Sequence, residues 1–206
     1  MHRRASSEQS AGLVLLLAVL WSGTASAGVH TWDVAEVFSN ADGTIQYVEL
    51  METGGGASET GVGNLTITSN TQSHAIANGA VAGPTSFKSY LIATPGFAAL
   101  AGAPVPDEVL PAAAVPFFAA AGDTVGISVD SWAFTGVPTN GTDALNRTGG
   151  TVTNSPTNYA GVTATVNAAP PPSVPLSSWP AVVVLLAAIV GSGTGAAALR
   201  AASRQN

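Results

Sequence analysis

The chain has 206 residues, of which 46% are apolar, 9% are charged and none is cysteine. Ordinary soluble domains carry about 25% charged residues, and disordered chains pair high charge with low hydrophobicity, so a mean hydropathy of +0.34 argues against disorder. Six Lys/Arg against twelve Asp/Glu disfavour a nucleic-acid binder, and zero cysteines with three histidines leave no disulfide framework or Cys/His metal site. The first element in chain order is a signal peptide over residues 1–27. Arg3 and Arg4 form its basic start, Leu13–Trp21 its apolar helix, and Ala25-Ser26-Ala27 the small-residue cleavage site. Ala25 and Ala27 flank the cut and Gly28 becomes the mature N-terminus. An uncleaved anchor would need about 20 apolar residues, more than this run supplies.

Residues 28–168 form the next segment, long enough for one domain with its own core. Eleven acids face only Lys88 and Arg147 there, a formal charge near −9. That disfavours phosphate or lipid-headgroup partners. Period-two patterning predicts strands. Trp32, Val34, Glu36 and Phe38 alternate with Asp33, Ala35 and Val37; after the turn Asn40-Ala-Asp-Gly43, Ile45, Tyr47 and Glu49 alternate with Gln46, Val48 and Leu50. Further strands are predicted at 65–69, 87–93, 124–129, 132–135 and 161–167. Thr94-Pro95 before Phe97 predicts an N-cap, an N1 proline and one short helix. The spacing is that of an all-β sandwich.

Val34-Ala-Glu-Val-Phe38, a turn, and Gln46-Tyr-Val-Glu-Leu50 resemble the opening of lamin-tail-like domains. Ser89–Ala93, Gly122–Val125, Val129–Phe134 and Gly141–Arg147 are similar to that family's later segments. Asp143-Ala-Leu-Asn-Arg147 departs from the closing pattern by lacking its serine. The resemblance covers residues 32–147. It implies an immunoglobulin-like β-sandwich serving as a non-catalytic extracellular module, with no cofactor.

Three sites invite a chemical reading. Asn40, Asp42, Gly43 and Glu49 occupy part of a calcium-loop pattern, but Phe38 stands where its first oxygen ligand belongs, so a hairpin is preferred. Glu36 and Glu49 become neighbours across that hairpin. They form either an acid/base or Ca²⁺ pair, or two carboxylates bonded to backbone N–H groups or Arg147. Trp32, Trp132, Phe134, Tyr47 and Tyr90 are either core or an aromatic platform for sugars. His30 and His74 lie outside any nucleophile elbow or His-x-x-x-His pair, and the glycines of 54–56 and 61–63 precede no lysine, so they read as loops. No catalytic, cofactor or metal residue is assigned.

The C-terminal region opens with a Pro-rich linker and motif, 169–178. A transmembrane helix, 179–199, follows, with Ala181–Leu199 free of charge. A helix of that length covers about 28 Å, close to the bilayer core. The basic tail 200–206 contains the membrane-stop residues Arg200 and Arg204 and faces the cytoplasm by the positive-inside rule. Val174, Pro175, Leu176, Ser177, Ser178 and Trp179, followed by an apolar span and arginines, resemble Gram-negative C-terminal sorting signals of the IPTL-CTERM and PEP-CTERM kind. The resemblance implies a sorting protease or transpeptidase as partner; a permanent anchor is the alternative.

The expectation is an exported bacterial protein, anchored in the inner membrane with its ectodomain facing the periplasm, or processed to the cell surface or secreted. Its work is non-catalytic adhesion, structure or binding, with extracellular polysaccharide or a surface protein as candidate partner. The competing readings are a secreted carbohydrate-active hydrolase using paired carboxylates, and a calcium-dependent adhesin.

Overall fold

The predicted alternation at 32–50 becomes two long antiparallel strands, β1 (Trp32–Ser39) and β2 (Gln46–Glu52). They are joined at a tight turn where Gly43 takes φ +73°, a conformation L side chains rarely adopt. Asn40 closes the loop: its N–H donates to the Ile45 carbonyl and its Oδ1 accepts from the Ile45 N–H, each at 3.0 Å. In this computed structural model residues 28–170 are described. The signal segment with Ala25 and Ala27, the motif Val174–Trp179, the predicted membrane helix and Arg200 and Arg204 lie outside the described residues.

The remaining elements are β3 (Thr66–Thr68), β4 (Ser73–Ala75), β5 (Ser89–Ala93), helix α1 (Pro95–Ala98), β6 (Glu108–Val109), β7 (Asp123–Ile127), β8 (Asp130–Phe134), β9 (Asp143–Asn146) and β10 (Gly150–Thr153). They build one six-stranded sheet, ordered β10-β9-β1-β2-β5-β6, and one four-stranded sheet, ordered β4-β3-β7-β8. Pairing is antiparallel apart from β5–β6. The described chain is therefore an all-β sandwich. Its main core, between the sheets, gathers Trp32, Val34, Val48, Leu50, Ile67, Ile92, Phe117, Phe118 and Val125.

A second apolar cluster covers the other face of the larger sheet. Phe38, Tyr47, Leu91, Ala93 and Ala144 meet Phe97 from α1 and Val166 and Ala168 from the chain after β10. Strand β2 is consequently buried on both faces, which explains why six of its seven residues are buried. Helix α1 forms where predicted, with Thr94 as N-cap accepting from the Phe97 N–H at 3.4 Å.

Four expectations are corrected. A bulge at Ala35 pairs Val34 with Leu50 but Glu36 with Glu49. The extra residue turns Val37 into the main core and sends Glu36 and Phe38 to the opposite face from Trp32 and Val34. The strand expected from Phe87 begins at Ser89, because Phe87 has φ +57°. The one expected to reach Val129 stops at Ile127, since Ser128-Val129 is the turn into β8. No strand forms at 161–167, where a single bridge joins Thr157 and Thr163. That segment instead bonds to side chains and loops as it crosses the larger sheet: Val166 N–H donates to Asn154 Oδ1 and Ala168 N–H to the Gly141 carbonyl, both at 2.8 Å.

Candidate functional site

The carboxylate pair is brought together as expected. Glu36 and Glu49 are direct cross-strand partners, and both are buried. Two like charges on facing positions repel, so what surrounds them decides their state. The Tyr47 hydroxyl donates to Glu36 Oε1. The same oxygen accepts from the Ser155 N–H at 3.2 Å, and Oε2 accepts from Asn146 Nδ2 at 3.4 Å. The Ser89 hydroxyl donates to Glu49 Oε1 at 2.7 Å and the Thr157 N–H to Oε2 at 2.9 Å. Ser155 and Thr157 belong to a strap, residues 154–168, laid over this face. Burial pushes the Glu49 carboxyl up to about 7, against the pull of its Ser89 and Thr157 hydrogen bonds. Burial and the two carboxylates likewise push the Tyr47 hydroxyl up, so it remains a donor.

The strap is held by further polar groups. Asn154 Nδ2 donates to the carbonyls of Thr142 (2.6 Å) and Val166 (2.8 Å). Asp107 Oδ2 accepts from the N–H groups of Tyr159 (2.8 Å) and Leu91 (2.7 Å), tying the strap to β5. Burial raises the Asp107 pKa in spite of these bonds. The arrangement gives each acid its own donors and covers both with the strap.

Arg147 does not reach the pair. It forms a two-pronged bridge to Asp130, with distances of 2.6 Å and 3.1 Å. Asp130 also accepts from the Val34 N–H at 2.9 Å, so the bridge joins the two sheets beside the bulge. Burial opposes ionisation of Asp130, but hydrogen bonds from Arg147 and Val34 prevail and hold its pKa below the usual value.

The calcium-pattern residues separate. Asn40, Asp42 and Gly43 shape the hairpin, where Asp42 Oδ1 accepts from the Thr44 N–H at 3.0 Å, whereas Glu49 points under the strap. Among the described residues, no group of three or more His, Asp or Glu side chains is placed to share a metal ion. The aromatic set is mostly core: Trp32, Tyr47, Tyr90 and Phe134 are buried, and half-buried Trp132 packs edge-on against Phe134 with ring centroids 5.6 Å apart. His30 lies beside Glu59, its N–H donating at 2.5 Å. His74 Nε2 and Glu108 Oε1 are 2.6 Å apart, bridging edge strands of the two sheets.

Two acids without a sequence assignment prove central. Fully buried Glu52 accepts from the Thr31 hydroxyl (2.5 Å) and from the N–H groups of Gly54 (3.0 Å), Gly56 (2.9 Å) and Phe87 (2.9 Å). Burial works to raise its pKa, but these four bonds outweigh it. Asp123 similarly accepts from the N–H groups of Asn70 (2.8 Å), Ala119 (2.8 Å) and Thr124 (2.7 Å). A glutamate two and four residues before glycines was the readable signal for the first, since successive free N–H groups form an anion-binding nest.

Two open cavities accompany these features. One, of about 150 Å³, is lined by Asp33, Ala35, Met51, Asn146 and Arg147 beside the bulge. The other, of about 440 Å³, surrounds the β7–β8 turn from Ile127 to Ser131. Comparison of the chain with family models, with curated proteins and with solved structures finds no match.

Proposed function

We propose that the chain is an exported, non-catalytic surface or matrix protein of bacteria whose 28–168 domain is a lamin-tail-like, immunoglobulin-like sandwich used for adhesion, structure or binding. The observation that carries this reading is the use of the acids. The carboxylates arranged closely enough for chemistry, Glu36 and Glu49, are bonded to backbone and side-chain donors beneath the strap. A hydrolase built on them would need the strap to leave the sheet before any substrate touched either group. Fold alone assigns no activity, so the apolar termini supply the rest. A signal segment cut before Gly28, the motif Val174–Trp179, a membrane span and the arginines Arg200 and Arg204 together deliver the domain to the outside. A sorting protease or transpeptidase then processes the C-terminus.

Mass spectrometry of the chain from its native host tests this. The expected product starts at Gly28 and lacks the residues after the motif. A product still carrying Met1 and Asn206 overturns the export-and-sorting reading, and an intact Asn206 alone makes the span a permanent anchor.

A further inference from the structure

Phe87 combines two features that the fold does not require. The residue is 65% exposed, and its backbone has φ +57°, the left-handed region that costs a bulky residue strain. Asparagine or glycine would occupy that conformation more cheaply, and an exposed ring adds nothing to the core. Strain retained at an exposed residue points to a use outside the fold.

The residue is also held rigidly. Its N–H donates to buried Glu52 at 2.9 Å, the carboxylate that gathers the N–H groups of Gly54 and Gly56. Ser86 donates to the Gly55 carbonyl at 2.9 Å and Thr85 to the Gly56 carbonyl at 2.5 Å, knitting loops 53–59 and 84–88 together. Gly55 lies directly under the ring: a Cβ there would come within 3.1 Å of Phe87 Cζ. The far end of the ring therefore rests close to the backbone of the Gly54–Gly56 run. Among the described residues the other exposed large apolar side chains are valines.

The surroundings select the ligand. Residues 53–58, Thr-Gly-Gly-Gly-Ala-Ser, and 84–87, Pro-Thr-Ser-Phe, carry no charge, and half-buried Glu59, which ends the first loop, is taken up by the His30 N–H. Lys88 turns away, its Nζ 3.4 Å from the Tyr159 carbonyl and 5.5 Å from that ring's centroid. An exposed aromatic ring on uncharged loops suits the C–H face of a sugar ring, with the sugar's hydroxyls left to water, since the hydroxyls of Thr85 and Ser86 are engaged by the glycine carbonyls.

We propose that Phe87, seated on loops 53–59 and 84–88, is a stacking platform for a neutral polysaccharide. This names a ligand class for the non-catalytic binding module above and rests on that reading. The platform is pre-organised, so binding orders little of the protein.

The test is affinity electrophoresis of the full chain in a sugar-free detergent, through gels carrying laminarin or dextran as neutral probes and alginate as an anionic one. The expected result is retardation by at least one neutral glucan and not by alginate. Phe87→Asn should weaken that retardation about tenfold, the scale of one lost stacking contact, with an unchanged or raised melting temperature. Phe87→Trp should keep it. No retardation by either glucan, stronger retardation by alginate, or an unaffected Phe87→Asn variant overturns the platform. Reducing ends released from the glucan by wild type would instead overturn the non-catalytic reading and leave the platform standing.

Discussion

Of the eleven acidic residues between 28 and 168, only Asp42 is exposed; Glu36, Glu49, Glu52 and Asp123 are buried and the other six half-buried. The acids that composition placed on a sparsely charged surface are largely internal fasteners, and the four buried ones collect backbone N–H groups that would otherwise lie unbonded under loops. Glu49 and Asp107 are the exceptions energetically, both raised by burial. A carboxyl that titrates at about 7 in the fold and near 4.5 in the open chain withdraws about 3 kcal/mol of stability between those pH values. The sign follows from a raised pKa: below 4.5 both states are protonated and nothing is lost, and the loss is complete above 7. Replacing Glu49 by Gln should therefore leave stability at pH 4 nearly unchanged and raise it at pH 8. Urea titrations of both proteins at those two values check it; equal gains at both pH values would contradict the assignment.

At the level of elements, the strap 154–168 is the part that pattern reading could not find. Alternation predicted β1 and β2 because a strand pair buried on one side writes itself into the sequence with period two. The predicted strand 161–167 had comparable spacing but no ladder partner, and its bonds go to Asn154, Gly141 and loop groups. Strands β4, β6, β9 and β10 were equally illegible, being two to four residues long with few apolar side chains. The Ala35 bulge had no local signal either, although it decides which face Glu36 occupies. Asn154 closes the strap on itself through two side-chain bonds to Val166 and ties it to the Thr142 carbonyl through a third. Truncating it in Asn154→Ala should speed amide exchange across 154–168 by roughly tenfold or more while β1, β2 and β5 keep their protection. Uniform acceleration over the whole sandwich would mean that the strap does not open by itself.

For the molecule as a whole, opposing titrations set the pH of greatest stability. Glu52 and Asp130 have lowered pKa values, so their contribution is present above their ordinary range and lost as acid protonates them. Glu49 and Asp107 are raised, so their penalty grows as pH climbs toward 7. Thermal unfolding followed from pH 3 to pH 9 should show its maximum near pH 5, on the acid side of neutrality. A maximum at pH 8 would mean that these four groups do not govern the profile. The sequence by itself determined the all-β character, the first hairpin, the capped helix and the adjacency of Glu36 and Glu49, because each follows from local periodicity or turn chemistry. Only the tertiary structure decided that the glutamates are sealed under residues 154–168, that Arg147 joins Asp130 and that the exposed ring is Phe87. Those outcomes depend on bonds between groups up to 119 residues apart, and no local pattern encodes which distant N–H group a carboxylate will meet.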